Sequence, residues 1–289
     1  MARAHPVRPG RALHRFARRA NAVVWSPRQE HRAGRGRDVA KQASKSKDSG
    51  KDGGKDGPSG GKKRRFRPGY WLYRIGLRLL AVFVALATAL VFLFAVVNPP
   101  VTVTMWQEYG RYGPLKRDWV ALDDIAPVMV RSAVAAEDAN FCLHWGFDVD
   151  ALKAAMESGA QRGGSTITQQ VTKNVFLWQG RSWLRKAMET LITPMVEAVW
   201  SKRRILEVYL NVAETGPGIF GVEAAAQHYF GTRAADLTPR QAARIAAVLP
   251  SPRTRNPAEL SPTLQRRAAS IADGAATIAA DGRADCFED

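Results

Sequence analysis

The stretch LLAVFVALATALVFLFAVV, residues 79–97, decides the architecture of this chain. It runs for 19 residues without a charge, an amide or a proline. At a helical rise of about 1.5 Å per residue it would extend about 28 Å, which is close to the thickness of a bilayer's hydrocarbon core. A buried core helix is the alternative, but such helices rarely lack a polar face over five turns. The stretch therefore predicts one membrane-spanning helix.

Basic residues crowd the N-terminal side of this stretch, and none follows it before Arg111. The positive-inside rule then places the N-terminus in the cytoplasm and the part after the span on the opposite side. Tyr70, Trp71 and Tyr73 have the character of an interfacial aromatic belt, so we expect residues 70–98 to be the transmembrane helix with its interfacial flank. The basic residues next to the span are Lys62, Lys63, Arg64, Arg65, Arg67, Arg74 and Arg78.

The formal net charge of +17, from 43 Lys+Arg and 26 Asp+Glu, lies entirely at the N-terminus. Residues 1–78 hold 22 basic and 5 acidic side chains, and the remainder is balanced. The composition of residues 1–69 predicts a disordered cytoplasmic arm. A solvated tail is favoured for this arm over a segment that binds anionic lipid or, second, nucleic acid. A nucleic-acid-binding catalytic domain is disfavoured, because the domain has no basic excess of its own, and no nucleic-acid partner is expected. Cys142 and Cys286 are too few for a disulfide framework or a Cys-rich zinc site.

After the span, the sequence predicts a linker over residues 99–122, with one short extended piece at Val101–Met105. Helical patterns dominate residues 123–260, and strand-like runs are nearly absent. Residues 261–289 lack a basic helix and are interpreted as a C-terminal tail. The sequence therefore predicts a mainly α domain anchored by one N-terminal transmembrane helix.

Several residues predict where helices begin, because short polar side chains cap a first turn and proline fits its start. Thr166-x-x-Gln169 has the spacing of a capping box. Pro194 predicts a kink or a new helix start within the long amphipathic pattern of residues 181–200. The candidate caps are Asp123 and Asp124, Asp148 or Asp150, Ser165 or Thr166, and Thr238 before Pro239.

The first patch with chemical potential is EDANFCLHWGFD, residues 137–148. It places Glu137, Asp138 and His144 at the end of an apolar helix. A carboxylate among apolar neighbours tends to have a raised pKa and can act as a general base or acid. Taken alone, the patch also fits a solvated or paired acid, a structural histidine, or half of a metal site.

A second patch, GGSTITQQVTKN at residues 163–174, leads two glycines into a hydroxyl-rich helix start. Free N–H groups and the helix dipole make such a start a plausible anion site. Further on, Arg181, Arg185 and Glu189 share one helical face, so that cations could hold a phosphate beside a carboxylate. The plainer alternatives are an ordinary capped helix and an Arg185–Glu189 surface ion pair worth about 0.3–0.5 kcal/mol.

Five patches in this order resemble the motifs of the peptidoglycan glycosyltransferases, glycosyltransferase family 51. The resemblance is specific because all five occur in sequence, from about residue 101 to about residue 257. The fourth patch, taken alone, indicates a framework of two helices around a glycine loop. The patches are EDANFCLHWGFD, GGSTITQQVTKN, RKAMETLITPMVE, ILEVYLNVAETGPGIFGVEAAA and LTPRQAARIAAVLPSP.

The resemblance implies a lysozyme-like fold that polymerises lipid II into glycan strands. It implies that Glu137 is the general base for the acceptor's 4-hydroxyl and that Glu189 is a catalytic carboxylate at the donor end. The growing glycan would leave undecaprenyl pyrophosphate with inversion, and Lys173 and Arg181 would stabilise that pyrophosphate. The residues that the resemblance assigns to substrate binding are Asp138, Ser165, Thr166, Gln169, Gln170, Lys173, Arg181, Arg185 and Lys186.

The resemblance also implies surroundings for the enzyme. Its partners would be lipid II, the lipid-linked glycan strand and the bilayer, with cell-wall synthesis or division proteins as further candidates. No organic cofactor is expected, and a divalent metal ion, Mg or Mn, is left open at the donor end. The location would be the inner membrane with a periplasmic catalytic domain, and the apolar segment Trp119–Val130 would enter the bilayer.

The chain ends about 30 residues after the last motif, so we expect no transpeptidase activity. A lytic enzyme on a related fold is one rival, but it needs no cations for a pyrophosphate, and Lys173 and Arg181 are in register for one. A non-enzymatic membrane scaffold is the second rival, and it would not need the complete set of catalytic residues.

Overall fold

The computed structural model describes residues 68–157 and 164–288. The predicted cytoplasmic arm, up to residue 67, and Gly163 of the second patch lie outside the described residues. Helices make up nearly all the regular structure within these two ranges, so the prediction of a mainly α fold is confirmed.

Eleven helices and three short strands follow one another along the described residues. The helices are α1 (Pro68–Val96), α2 (Val103–Tyr112), α3 (Pro127–Glu137), α4 (Val149–Glu157), α5 (Ile167–Phe176), α6 (Trp183–Val199), α7 (Lys202–Val212), α8 (Val222–Phe230), α9 (Pro239–Val248), α10 (Pro262–Ala280) and α11 (Asp285–Glu288). The strands are β1 (Lys116–Arg117), β2 (Glu214–Gly216) and β3 (Ile219–Phe220).

Helix α1 is the apolar helix that the sequence predicts, and it is long and apolar enough to cross a membrane. Most of its apolar side chains are exposed. Its last turns are joined to the domain. The Trp200 indole N–H donates to the Val91 carbonyl at 2.8 Å, and the Arg204 guanidinium donates to the Phe94 and Val97 carbonyls at 3.0 Å. Carbonyls at a helix C-terminus lack partners within the helix, so Arg204 caps α1.

The segment between α1 and α3 is more ordered than the sequence predicts. Val101–Met105, expected to be extended, enters α2, whose first turn is capped by the Thr102 hydroxyl accepting the Met105 N–H at 3.2 Å. Met105 and Glu108 are both buried, so the apolar spacing reflects the inner face of a helix. The prediction of a strand-like piece at this position is therefore wrong.

The strands form one small sheet in the order β1-β3-β2, with β1 parallel and β2 antiparallel to β3. Among the helices, α10 packs on α3 and α9, while α5 packs on α6 and α7. The C-terminal segment, interpreted as a tail from the sequence, thus supplies a packed helix, and the expected boundary at residue 260 falls inside the packed structure. The buried residues of α10 are Ala268, Ile271, Ala275 and Ile278.

The helix starts predicted at Thr166 and Thr238 are confirmed, and each has both bonds of a capping box. Asp123 and Asp124 do not cap α3, because they lie in a separate 3-10 turn. Helix α3 instead begins at Pro127 without a side-chain cap. Proline has no N–H, so this start leaves one fewer donor unsatisfied.

Helix α6 continues through Pro194, so of the two outcomes predicted there, a kink or a new helix start, the new start is wrong. The segment Trp119–Val130 buries Ile125, Met129 and Val130 in the core, and its entry into the bilayer stays a prediction. The large apolar side chains that are exposed in the domain include Leu143, Trp145, Met156, Trp183 and Leu184.

Candidate active site

Glu137, the predicted base, is the last residue of α3 and is half-buried. The Gln170 side-chain amide of α5 donates to Glu137 Oε2 at 2.9 Å. Burial raises the pKa of Glu137, and the Gln170 hydrogen bond and the charges of Arg267 and Lys173 partly offset that effect. A half-buried carboxylate with a raised pKa and one oxygen outside this bond is suited to accept a proton.

Asp138 follows directly and is buried, with 7% of its surface exposed. Its Oδ1 lies 2.8 Å from His144 Nε2, and its Oδ2 accepts the Ile167 N–H at 2.9 Å. Both oxygens therefore have partners inside the protein. Asp138 joins the C-terminus of α3 to the N-terminus of α5, and this position fits support of the site better than direct contact with a substrate.

The N-terminus of α5 is fixed by Thr166. Its hydroxyl accepts the Gln169 N–H at 3.3 Å and donates to the Gly146 carbonyl at 2.7 Å. The Gln169 side chain completes the capping box by accepting the Thr166 N–H at 3.0 Å, and it is buried. Ser165 is exposed just before the helix. Of the paired glutamines, Gln170 thus reaches Glu137, and Gln169 holds the helix start.

Lys173 lies one turn beyond Gln170 and is half-buried. Burial lowers its pKa, and the negative charges of Glu189 and Glu137 oppose that effect. Lys173, Gln170 and Tyr209 line one cavity of about 360 Å³. Burial raises the pKa of Tyr209 well above its usual range, so this phenol stays neutral. Lys173 therefore puts a cation between the candidate base and the first turns of α6.

A cationic cluster surrounds Glu189 on α6. Arg185 Nη1 donates to Glu189 Oε2 at 2.6 Å, and Lys186 Nζ donates to Oε1. Arg185 Nε also donates to the Gly180 carbonyl at 2.7 Å. Glu189 is only 3% exposed, so both its oxygens are committed to these two cations. Arg181 is exposed in the segment before α6 and shares a shallow cavity of about 280 Å³ with Arg185 and Lys186.

The sequence patterns do not predict two groups of polar residues in this region. Arg253 pairs with Glu108 at 2.7 Å and with Glu214 at 3.0 Å, and it lines the larger cavity beside Lys173. These partners come from distant parts of the chain, so no local spacing signals them. Tyr209 lies in the fourth patch, which the sequence indicates as framework, and it contacts Gln170 at 3.5 Å.

A second buried glutamate, Glu197, helps to hold the loop of residues 138–148 that follows Glu137. Glu197 accepts the Thr168 hydroxyl at 2.6 Å and pairs with Lys202 at 3.0 Å. Lys202 also donates to the His144 carbonyl at 2.8 Å. The loop of residues 138–148 is therefore held from inside by α5, α6 and α7.

Asp138, His144 and Asp148 bring one ligand atom each within 4.8 Å of one another. Each of these three side chains already has a hydrogen-bond partner inside the protein, and His144 Nδ1 is buried without one. Asp148 accepts the Ala151 N–H at 2.8 Å and the Asn140 amide at 3.0 Å, in addition to the bonds of Asp138 described above. The cluster thus has the chemistry of a loop anchor.

Glu137 is bonded to Gln170, and Lys173 feels the charges of both Glu137 and the cationic cluster around Glu189. This arrangement pairs a proton acceptor with cations that can hold an anionic leaving group. A family model described as Transglycosylase matches residues 104–276, more than half of the chain. The chain belongs to this transglycosylase family, and it is a peptidoglycan glycosyltransferase with a lysozyme-like domain. The family resemblance seen in the five sequence patches is therefore confirmed.

Several similar proteins carry the name biosynthetic peptidoglycan transglycosylase. The one from Jannaschia sp. (strain CCS1) is 64% identical over 194 residues, which cover 67% of this chain and 81% of that protein. The one from Brucella suis biovar 1 (strain 1330) is 46% identical over 210 residues, which cover 70% and 93%. The one from Caulobacter vibrioides is 45% identical over 214 residues, which cover 73% and 93%.

Proposed function

We propose that this enzyme polymerises lipid II. The growing glycan is transferred from undecaprenyl pyrophosphate to the 4-hydroxyl of the GlcNAc of lipid II. The new bond is β(1→4) and forms with inversion. The observation that carries this proposal is Glu137, a half-buried carboxylate whose partner Gln170 and neighbouring cation Lys173 line a cavity.

Glu137 acts as the general base in this proposal. Gln170 occupies one of its oxygens and orients the carboxylate, so the other oxygen is available for the acceptor hydroxyl. Deprotonation lets the acceptor oxygen attack the face of the donor sugar opposite the pyrophosphate. The pyrophosphate needs charge neutralisation and no protonation, because it is already a good leaving group.

Lys173, Arg181, Arg185 and Lys186 supply the charge that the departing pyrophosphate needs. Glu189 supports them through positioning, because it fixes Arg185 and Lys186 from a buried place between them. Charges preorganised in this way stabilise a developing anion more than mobile ones do. At the other end of α5, Thr166 holds the helix start through its cap, and in this proposal the exposed Ser165 beside it contacts the substrate.

A divalent metal ion at the donor end remains a separate proposal, and the donor set there gives it little support. Both oxygens of Glu189 already accept from cations. The neighbouring side chains are Lys173, Arg185 and Lys186, while Mg²⁺ prefers oxygen ligands. The residues present therefore fit a pyrophosphate better than a metal, and no step is assigned to one.

We further propose that the N-terminus is cytoplasmic and the catalytic domain periplasmic, on the inner membrane. The basic flank of α1 supports this orientation. Cys142 and Cys286 form a disulfide bond, and disulfides persist in oxidising compartments such as the periplasm. Partner proteins of cell-wall synthesis or division would then meet the domain at the periplasmic membrane face.

The test is lipid II polymerisation by the full chain purified in detergent, with Glu137→Gln beside it. We expect long glycan strands from the wild type and a loss of about 10²–10⁴-fold in the variant, the usual contribution of a general base. Glu259→Gln, which removes an exposed carboxylate, is the matched control and should stay active. Normal polymerisation by a folded Glu137→Gln protein would contradict the proposed base.

A further inference from the structure

The C-terminal segment contacts the backbone on both sides of Glu137. We propose that three of its residues, Arg267, Arg283 and Cys286, position the candidate base, with the Cys142–Cys286 disulfide as the decisive tie. We call these three residues the C-terminal clamp. This inference rests on the proposed function of Glu137.

The disulfide joins two parts of the chain that are 144 residues apart, with Cα atoms 5.7 Å from each other. Cys142 lies in the loop of residues 138–148, which directly follows Glu137. Cys286 lies in α11. The covalent bond therefore fixes the outer side of a loop whose inner side is held by Asp138 and Lys202.

Two arginines of the clamp extend this tie along the backbone. Arg267 of α10 donates to the Ala136 carbonyl at 3.4 Å, and Arg283 donates to the Ala139 carbonyl at 3.1 Å. These carbonyls flank Glu137 on its two sides. The positive charge of Arg267 also reaches the Glu137 carboxylate and lowers its pKa.

The helix that carries Cys286, α11, is itself anchored to the core. Phe287 is 1% exposed and lies in the core. Its carbonyl accepts from Arg203 of α7 at 2.9 Å, and Glu288 pairs with Arg131 of α3 at 2.6 Å. Because α11 is anchored to α3 and α7, the disulfide connects the loop to the core rather than to a mobile end.

The disulfide differs from the two arginine bonds in strength and in chemistry. The arginine bonds lie on exposed side chains, where water competes for the same groups. The disulfide persists until a reductant opens it. A dithiol does so by giving two electrons and two protons, so that the S–S bond breaks, two thiols form and the dithiol closes its own disulfide.

The consequence for catalysis concerns the placement of Glu137. A catalytic group must stay within about 0.5 Å of its productive position. Opening the disulfide would leave the outer side of the loop held only by surface hydrogen bonds. Glu137 would then spend less time in position and more time in contact with water.

The experiment compares the full-length wild type with the Cys142→Ala/Cys286→Ala double variant in lipid II polymerisation across pH. We expect kcat to fall about tenfold while KM changes less than about twofold, because positioning acts on the reacting group. Burial is the main cause of the raised Glu137 pKa, so greater exposure should move the acidic limb of the pH profile to lower pH. Dithiothreitol should lower wild-type activity by the same factor and leave the double variant unchanged.

The outcomes separate this inference from the proposed function. An inactive wild type would count against the proposed function. An active wild type with an equally active double variant would overturn the clamp, and so would a loss of activity that follows the melting temperature with no shift in the pH profile.

If the double variant does not fold, Arg283→Ala provides a second test of the clamp, because it leaves the disulfide intact. We expect this variant to lower kcat about twofold and to move the acidic limb of the pH profile in the same direction, to lower pH. Arg266→Ala, an exposed arginine of α10 bonded to Thr263, is the matched control and should leave both unchanged. An Arg283→Ala protein that behaves like this control would contradict the clamp.

Discussion

Two regions of the domain share one local design, a glycine with left-handed backbone and a Thr-x-x-Gln capping box. The site region has Gly146, with φ of 80°, and the box of Thr166 at the start of α5. The distal region has Gly231, with φ of 62°, and the box of Thr238 at the start of α9. The two capping boxes have the same pair of bonds, yet only the first region belongs to the candidate active site.

The surroundings make the difference. At the site, Ile167 is the first residue of α5, and its N–H is accepted by Asp138. In the distal region, Pro239 takes that place and has no N–H to satisfy. Thr166 is buried and bonded to Gly146, while Thr238 is exposed. A local pattern thus fixes a helix start, and its long-range neighbours give that start a function.

The largest expected effect comes from Asp138→Ala. It leaves the Ile167 N–H and His144 without their shared partner in a buried place, and we expect a loss of about 3 kcal/mol in the free energy of unfolding. Polymerisation should fall about 100-fold because the helices that carry Glu137 and Gln170 separate. Urea denaturation and the lipid II assay measure the two effects.

The distal counterpart of this change is Pro239→Ala, which adds an exposed N–H at the first position of α9. It should cost less than about 1 kcal/mol and leave activity unchanged. Equal stability losses in the two variants would break the comparison.

Alanine at the two glycines gives the next largest difference. A Cβ on Gly146 would lie 2.9 Å from Thr193 Cγ2 and 3.0 Å from Glu197 Cγ, whereas a Cβ on Gly231 would meet nothing within 4 Å. Gly146→Ala should therefore cost about 3 kcal/mol, and Gly231→Ala about 1 kcal/mol for the backbone conformation alone. Thermal unfolding of both variants checks this, and similar melting temperatures would show that the site region relaxes freely.

The threonine caps differ by a smaller amount. Thr166→Ala removes the cap and the bond to the Gly146 carbonyl, so we expect about 2 kcal/mol of destabilisation and reduced polymerisation. Thr238→Ala removes an exposed cap and should cost about 1 kcal/mol with full activity. A Thr238→Ala protein that loses activity at a temperature where it is folded would remove the distinction between the regions.

The smallest expected change is an electrostatic shift in the pKa of Glu137. The charge of Lys173 lowers the pKa of Glu137, so Lys173→Met should raise that pKa. A general base works when deprotonated, and the acidic limb of the pH profile should therefore move to higher pH in the residual activity. Arg240→Met, at an exposed position of α9, is the control and should leave the limb in place. A limb that shifts to lower pH, or not at all, would argue against this coupling.

Local patterns in the sequence predict a large part of this structure. The apolar run predicts α1, Thr166-x-x-Gln169 predicts the start of α5, and Thr238 before Pro239 predicts the start of α9, because these signals depend on neighbours within one or two turns. The same reasoning does not predict helix α2. Five residues of alternating character cannot distinguish a strand from one inner face of a helix until the packing of Met105 and Glu108 is known.

The candidate site follows the same division. The order of the five patches indicates Glu137, Lys173 and Glu189 together with the family. The sequence does not indicate that Asp138 and Gln169 are turned inward. It also does not indicate that Tyr209 and Arg253 line the cavity. Nor does it indicate that Cys286 is bonded to Cys142. Each of these depends on a contact between residues far apart in the chain.

The sequence by itself determined the class of this protein, a helix long and apolar enough to cross a membrane, and the residue types that the proposed reaction uses. Those properties lie in the composition and spacing of single segments. Only the tertiary structure decided which polar side chains face the cleft and which hold it together. The reason is physical: a buried carboxylate requires partners. For Asp138 and Glu189 those partners are supplied by folding and take up both oxygens of each.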